Sequence, residues 1–278
     1  MDIKKILICP KCKSGQFSKN KNQIICNSCN IGFYYNEKNN QVIFEEVYRP
    51  NKVSEDVFTF KNGKHDRLSW RELNYLKIKK YTKTIPKDKL CLDIGCGPMT
   101  NKNLLNKFDS TIYVDGAKFN SVNIVCDFEK LIPIKDSSVD FILLSNVLEH
   151  MFNPQLIFNE IYRILKTNGK CLILVPYLIK LHQEPYDYFR YTKHALERFL
   201  KNSKFSNFLI EEMGSTSNII INFLSIDMQT KRNINLFNKK IIFFLQWIIY
   251  KLYTLQRRFD SSSVNALIPQ GYSIEIKK

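Results

Sequence analysis

The chain has 278 residues, of which 42 are lysine or arginine and 26 are aspartate or glutamate, so its formal net charge is +16. This length accommodates one small and one medium-sized domain. The positive charge would attract RNA, anionic lipid or an anionic glycan, but it is spread along the chain without an arginine-rich stripe. Composition therefore does not choose among these three partners.

Four cysteines near the N-terminus form two Cys-x-x-Cys pairs separated by thirteen residues, at Cys9, Cys12, Cys26 and Cys29. Four thiolates at this spacing are typical of a closed, structural zinc site. We therefore predict a zinc ribbon over residues 1–44, with short strands around 23–25 and 31–35. A disulfide interpretation would require an oxidising compartment. The N-terminal residues lack the long apolar core of a signal peptide, so we expect a cytoplasmic protein. The other cysteines are expected to be buried and reduced: Cys91, Cys96, Cys126 and Cys171.

Residues 45–69 are polar and basic and are predicted to form a linker. A helix is expected to begin at Trp70 and to lie against the edge of a sheet. We assign residues 70–278 to the second domain.

The first strand of this domain is predicted to end in Asp93, which is followed by Gly95 and Gly97. Glycines at the carboxyl end of a strand let the backbone turn sharply and approach a ligand. A dinucleotide fingerprint would need a third glycine at position 100, where Thr100 stands. A different adenosine cofactor is therefore favoured, with Asp93, Gly95 and Gly97 in its binding loop.

The next two predicted strands also end in acids. The second, at 110–115, ends in Asp115, about twenty residues beyond the glycines, where a carboxylate can accept hydrogen bonds from both ribose hydroxyls. The third, at 121–128, ends in Asp127 and Phe128. These two side chains could accept from an adenine amino group and cover the adenine ring. The connection between the two strands is too short for a crossover helix.

The fourth predicted strand, at 139–145, leads into a polar segment that should lie in the crevice outside the strand ends. Ser145 is assigned to cofactor binding and His150 to catalysis, although Glu149 and His150 could equally stabilise the loop. A helix is predicted from the N-cap Asn153 to Gly169, followed by a fifth strand at 170–176.

Residues 177–191 concentrate titratable and aromatic side chains and are predicted to meet the substrate. His182, Asp187 and Arg190 are the candidate catalytic residues. The alternative is that Asp187 and Arg190 pair at a helix start while the aromatic side chains pack. A further helix is predicted from the cap Thr192 to about residue 200.

These motifs, in this order, resemble the class I S-adenosylmethionine-dependent methyltransferases, in particular methyltransferase type 11-like domains, over roughly residues 87–175. The resemblance implies an α/β fold with a doubly wound, Rossmann-like, seven-stranded sheet and S-adenosylmethionine as cofactor. Asp127 and Phe128 resemble the adenine-binding pair of that family, whereas Met99 stands where a third loop glycine is common. The predicted ribbon is similar to small ribbon domains beside some methyltransferases.

Methyl transfer to a hydroxyl requires removal of a proton, and His182 is the best candidate base, with Asp187 able to orient it. The pattern His-x-x-x-Pro-x-Asp-x-x-Arg-Tyr-Thr, which begins at His182, resembles a subset of methyltransferases associated with sugar and cell-envelope biosynthesis. It implies a glycan or lipid-linked acceptor.

An apolar helical insertion is predicted near 218–260, before a last strand at 271–276. Residues 239–258 are too few and too interrupted to span a bilayer, but a helix there would have a wide apolar face. Burial of this face on the core or on a partner subunit is favoured over peripheral contact with the inner face of the membrane.

We therefore expect a methyltransferase that acts on a hydroxyl or amine of a glycan or lipid-linked cell-envelope intermediate. Base methylation of ribosomal RNA is the alternative, because some such enzymes carry an N-terminal zinc module and the net charge favours RNA. A scaffold that binds cofactor or a partner without turnover is a further alternative.

Overall fold

The computed structural model describes residues 2–47, 69–98, 101–216 and 268–278, together with single helical positions between 219 and 252. Most of the predicted linker, most of the predicted insertion at 218–260, and Met99 and Thr100 lie outside the described residues.

The described elements alternate between strands and helices after an all-β start. The strands are β1 Phe17–Asn20, β2 Gln23–Cys26, β3 Gly32–Asn36, β4 Gln41–Ile43, β5 Leu90–Ile94, β6 Ser110–Asp115, β7 Ile124–Val125, β8 Val139–Ser145, β9 Leu165–Pro176, β10 Asn207–Met213 and β11 Gly271–Lys277. The helices are α1 Trp70–Thr82, α2 Lys102–Leu105, α3 Pro154–Ile164 and α4 Lys193–Asn202, with 3₁₀ turns at Ile3–Lys5 and Leu148–His150.

All these strands form one mixed sheet in the order β1-β2-β3-β4-β7-β6-β5-β8-β9-β11-β10. The seven strands from β7 to β10 are the expected doubly wound sheet, parallel from β7 to β9 and antiparallel at β11 and β10. The ribbon adds four strands to the same sheet through a parallel pairing of β4 with β7. The predicted small module is therefore continuous with the large sheet.

Alternating side chains of the central strands pack into two apolar layers, one on each face of the sheet. On one face, Ile142 of β8 packs in the cluster that includes α3, α4 and the ribbon. On the other, Phe141 packs in the cluster that includes α1 and α2. Helix α1 begins at Trp70 as predicted and lies over the edge strands, where Lys77 pairs with Glu275 of β11 at 2.7 Å.

Two predicted element bounds are wrong, whereas the predicted N-cap position of Asn153 is confirmed without a side-chain capping bond. Helix α3 ends at Ile164 rather than Gly169, because Leu165 is already extended and pairs with Val139 of β8. Asn153 occupies the N-cap position, but its side chain makes no capping bond and donates to Glu129 Oε2 at 2.9 Å. The third strand of the parallel series is limited to β7, which is shorter than the predicted 121–128.

The ribbon supports the short connection between β6 and β7, where the described residues contain no crossover helix. The buried Gln41 of β4 donates from Nε2 to the carbonyl oxygens of Phe119 and Val122, at 2.7 and 2.8 Å. The backbone N–H of Val47 donates to the carbonyl of Gly116 at 3.0 Å. Gln41 and Val47 thus donate hydrogen bonds to carbonyl groups of the β6–β7 connection.

The described positions of the predicted C-terminal insertion are helical. Ile219 is buried and Ile248 is half-buried, but five apolar side chains are exposed: Ile241, Phe244, Leu245, Trp247 and Leu252. The prediction that this face is buried on the core is therefore wrong at these positions, and burial by a partner subunit stays a prediction. Within the described part of the chain, none of the helices has the length and hydrophobicity needed to cross a membrane.

Replacement of Gln41 by alanine tests the support of the β6–β7 connection. Gln41→Ala removes both donations, leaving the Val122 carbonyl without its donor and the Phe119 carbonyl with only the backbone N–H of Val122, so we expect the free energy of unfolding to fall by about 1–3 kcal/mol. Urea denaturation measures this loss. The exposed Gln16→Ala is the matched control, and equal stability of the two variants would contradict the role of Gln41.

Candidate active site

The candidate site lies at the carboxyl ends of β5, β6, β8 and β9. From β5 the chain proceeds outward to β6 and β7, whereas from β8 it proceeds to β9 on the other side. The sheet therefore changes direction between β5 and β8, and crevices at such points are the usual ligand sites of doubly wound sheets.

The loop after β5 has the conformation that its glycines predict. Gly95 has a φ of +72° and Gly97 a φ of +54°, both in the left-handed region. A Cβ at Gly95 would lie 2.2 Å from Cγ2 of Val147, in the segment after β8. Glycine at position 95 therefore lets the cofactor loop pack directly against the segment that leads to Glu149 and His150.

Asp115, at the end of β6, holds this loop in place. Its Oδ2 accepts from the backbone N–H of Gly97 at 2.8 Å, and its Oδ1 accepts from that of Ala117 at 2.9 Å. Each carboxylate oxygen retains a second lone pair, so the predicted ribose interaction is compatible with this arrangement.

Two carboxylates are buried beside the loop. Asp93 is 1% exposed, and neither of its oxygens makes a hydrogen bond in the described part of the chain. Burial and the neighbouring Asp115 raise the pKa of Asp93 to about 8, and Asn101 opposes only part of this rise. Burial raises the pKa of Asp115 to about 6, against the backbone N–H groups of Ala117 and Gly97 that lower it. A cationic ligand would favour the ionised form of both groups.

The two residues predicted to bind adenine, Asp127 and Phe128, follow β7. Cys126 donates its backbone N–H to the carbonyl of Asp115, so Asp127 and Phe128 begin next to the ribose-side acid. Asp127 Oδ1 accepts from the backbone N–H of Glu129 at 2.9 Å, and Phe128 is half-buried against the core. Asp127 therefore retains lone pairs for a ligand.

Asn146, directly after Ser145, anchors helix α1 to the site. It has a φ of +56°, and its Oδ1 accepts from Nε1 of Trp70 at 2.7 Å and from Nδ2 of Asn74 at 3.2 Å. Its Nδ2 donates to Ser145 Oγ at 3.3 Å. Our sequence analysis missed the roles of Trp70 and Asn74. An asparagine just after a strand was the available signal, because it tolerates left-handed backbone.

Residues beyond β8 and β9 converge on one buried carboxylate. Glu149 is 0% exposed, and its Oε1 lies 3.5 Å from Nε2 of His182 and 3.7 Å from Nε2 of His150. The two imidazole rings are 4.8 Å apart and edge to face. The structure thus brings His150 and His182 together, and it gives the central position to Glu149, which we had not assigned to the site.

Asp187 and Arg190 stabilise the segment that carries His182. Asp187 Oδ2 accepts from the backbone N–H of His182 at 2.9 Å and lies 3.3 Å from its Nδ1. Arg190 donates to both Asp187 oxygens, at 2.6 and 2.8 Å. Burial raises the pKa of Asp187, but Arg190 and His182 lower it further, so the net shift is downward. Asp187 thus pairs with Arg190 and also contacts His182, and the catalytic roles of these residues stay predictions.

The four N-terminal cysteines form a separate cluster within the ribbon. Their sulfur atoms lie within 4.8 Å of one another, with Cys9 to Cys29 at 3.6 Å and Cys12 to Cys26 at 3.4 Å. Sulfurs bound tetrahedrally to zinc at about 2.3 Å lie about 3.8 Å apart. The cluster therefore fits a zinc ribbon.

The central part of the chain is similar to known proteins. Residues 92–173 match a family model described as a methyltransferase domain. An uncharacterized protein of Methanocaldococcus jannaschii is 38% identical over 120 residues, covering 40% of this chain and 49% of that protein. The chain therefore spans about half the length of the curated relative that it matches.

Two solved structures are similar in fold. The [4+2]-cyclase SpnF matches with a TM-score of 0.50 at 15% identity, covering 76% of this chain and 82% of that chain. A SAM-dependent methyltransferase from Archaeoglobus fulgidus matches with a TM-score of 0.48 at 20% identity, covering 75% of this chain and 94% of that chain. At these identities the likeness concerns the fold alone, and a fold does not determine a reaction.

The buried Asp93 should link cofactor binding to proton release. At pH 7 a carboxyl with a pKa of about 8 is largely protonated, whereas a bound sulfonium and ammonium would favour its ionised form. We expect S-adenosylmethionine binding at pH 7 to release about one proton. Calorimetry in two buffers of different ionisation enthalpy measures this. Asp93→Asn should abolish the release and the exposed Asp109→Asn should retain it; equal heats for the unmodified protein in both buffers would contradict the assignment.

Proposed function

We propose, on the premise that residues 92–173 form a methyltransferase domain, that the chain transfers a methyl group from S-adenosylmethionine to a hydroxyl or amine of a glycan or lipid-linked cell-envelope intermediate. One observation carries this proposal: the loop at Gly95, beside Asp93 and Asp115, packs through Val147 onto the segment that bears Glu149 and His150. Cofactor-binding and acceptor-binding chemistry therefore share one crevice.

The residues around the loop fit the cofactor. In this proposal Asp115 accepts from the ribose hydroxyls, and Asp127 and Phe128 contact the adenine ring. The unpaired carboxylate of Asp93 offers a buried negative charge to the cationic methionine end, with Gly97 and Ser145 lining the approach. When bound, the cofactor supplies an electrophilic methyl group.

The chain's own residues contribute alignment and proton transfer. Displacement at a methyl group is in line, so the crevice must exclude water and hold the acceptor atom opposite the sulfonium. We assign proton removal to Nε2 of His182, whose Nδ1 lies near Asp187. Arg190 holds Asp187, and His150 completes the acceptor side of the site.

The acceptor class is supported by the surface next to the site. Four apolar or aromatic side chains there are exposed: Phe152, Leu181, Tyr186 and Tyr188. The apolar face at positions 241–252 is exposed as well, and the net charge is +16. Aromatic faces suit sugar rings, and an apolar face with positive charge suits anionic lipid. We therefore assign the activity to a cytoplasmic protein at the inner face of the membrane.

Base methylation of ribosomal RNA is the competing function, because a net charge of +16 favours polyanions. Tight RNA binding that weakens steeply with salt, together with methyl transfer to RNA, would replace the glycan proposal. A chain that binds cofactor without methylating either class of acceptor would be a scaffold.

We assign a structural zinc ion to Cys9, Cys12, Cys26 and Cys29. Four thiolates leave no coordination position for a substrate, so the ion would stabilise the ribbon rather than react. The ribbon in turn supports the β6–β7 connection through Gln41.

The acceptor side is tested with labelled S-adenosylmethionine and three acceptor pools: cell-envelope glycolipids, nucleotide sugars and ribosomal RNA. His182→Asn should lower the rate of methyl transfer by about 10²–10⁴-fold without weakening cofactor binding, because it removes the proton acceptor. The exposed His194→Asn is the matched control. Undiminished transfer by His182→Asn would refute the assignment.

The zinc site predicts one tightly bound zinc ion per chain, measured by elemental analysis. Cys26→Ser should lower the zinc content and the thermal stability, and should also weaken cofactor binding through the ribbon's contacts with the β6–β7 connection. Cys171→Ala, in the core of β9, should retain the zinc. Full zinc content in Cys26→Ser would contradict the site.

A further inference from the structure

We propose that Glu149, His150 and His182 bind a divalent transition-metal ion on the acceptor side of the crevice, separate from the ribbon's zinc. Two imidazole nitrogens and one carboxylate oxygen suit ions such as Mn²⁺, Fe²⁺, Co²⁺ and Zn²⁺. The three ligand atoms lie within 4.8 Å of one another. This set is one of two groups of potential metal ligands in the described part of the chain, the other being the four cysteines.

The distances are close to those of a bound ion. Glu149 Oε1 lies 3.5 Å from His182 Nε2 and 3.7 Å from His150 Nε2. Ligand atoms about 2.1 Å from a common ion lie about 3.0–3.4 Å apart at ordinary coordination angles. A contraction of a few tenths of an ångström would therefore bring Glu149 Oε1 into this range of both imidazole nitrogens.

Hydrogen bonds to the other ring nitrogens orient both imidazoles. His150 Nδ1 lies 2.8 Å from the carbonyl oxygen of Tyr186, and His182 Nδ1 lies 3.2 Å from that of Lys180. A carbonyl can only accept, so each Nδ1 donates a proton in these contacts, and an ion bound at the site would take the lone pair of each Nε2, which faces Glu149. Such a bond to the distal nitrogen is the usual support of metal-binding histidines.

The negative charge of the buried Glu149 carboxylate also favours a bound cation. Neither oxygen of the fully buried Glu149 has a hydrogen-bond partner among the described residues, and His150 Nε2 has none either. A buried carboxylate without a hydrogen-bond partner is costly unless a positive charge lies beside it. One divalent ion would compensate all three groups at once.

The surrounding backbone holds the ligands in place. The carbonyl of Glu149 accepts from the backbone N–H of Tyr188 at 2.8 Å, and the Tyr191 hydroxyl donates to the carbonyl of Leu148 at 3.0 Å. Asp187 holds the backbone N–H of His182. The segments after β8 and β9 are thereby tied together, and three protein ligands leave coordination positions open for an acceptor.

The catalytic consequence rests on the proposed function. An acceptor hydroxyl that binds the ion becomes more acidic and loses its proton to solvent water. The resulting oxygen forms a bond to the methyl carbon as the carbon–sulfur bond breaks, and the oxidation state of the ion does not change. In the ion-bound protein, His182 Nε2 is a ligand, and the ion replaces it as the group that activates the acceptor.

The test uses the full chain, dialysed against a chelator and verified to retain the ribbon's zinc. Mn²⁺, which has little affinity for four thiolates, is titrated and followed by electron paramagnetic resonance. We expect one site per chain, weakened at least about 100-fold by His182→Asn and by Glu149→Gln but not by the exposed His194→Asn. His182 is partly exposed, so its variant remains informative if Glu149→Gln fails to fold.

Absence of a Mn²⁺ site in the folded, unmodified protein, or a site unaffected by His182→Asn, would overturn this inference. Methyl transfer at an undiminished rate without added ion would overturn the catalytic consequence while leaving the proposed function intact. Mn²⁺ binding with the expected variant effects, but without methyl transfer to any acceptor pool, would uphold the metal site and refute the proposed function.

Discussion

The carboxylate of Asp115 is the interaction on which the site depends. It ends β6 and binds the backbone N–H groups of Gly97 and Ala117, so it fixes the cofactor loop and the start of the next connection together. Burial raises the pKa values of Asp115 and Asp93. A positive charge beside them would favour their ionised forms. The architecture therefore keeps two buried carboxyl groups where a sulfonium cofactor would favour their ionised forms.

The ribbon contributes hydrogen bonds and a neighbouring strand to the domain beside it. In the short β6–β7 connection, the buried Gln41 of the ribbon donates to the Val122 carbonyl and adds a second donor to the Phe119 carbonyl, which also accepts from the backbone N–H of Val122. Strand β4 also continues the sheet beside the two-residue β7. The module that carries the four-cysteine cluster thus contacts the connection next to Asp115, so a metal bound there would affect cofactor affinity without touching the cofactor.

Features encoded within a few neighbouring residues could be predicted from the sequence, whereas features created by long-range contacts could not. Strand β8 and the acids that end β5 and β6 follow from apolar runs that stop at a polar residue. The end of α3 could not be predicted, because the apolar spacing continues to Leu165 while pairing with Val139 extends the backbone there. The importance of Glu149 emerges only when the segment after β9 brings His182 against it. The catalytic and cofactor roles themselves stay predictions.

The central claim is that S-adenosylmethionine occupies the crevice between the Gly95 loop and Glu149. Isothermal titration of the zinc-loaded chain with S-adenosylmethionine and its demethylated product, alongside Asp115→Ala, tests it most directly. We predict saturable one-to-one binding, weakened about 100-fold or more in the variant through loss of charge-assisted hydrogen bonds to the ribose. A thermal melt would establish that the variant is folded. No binding by the unmodified protein, or equal binding by the folded variant, would contradict the account.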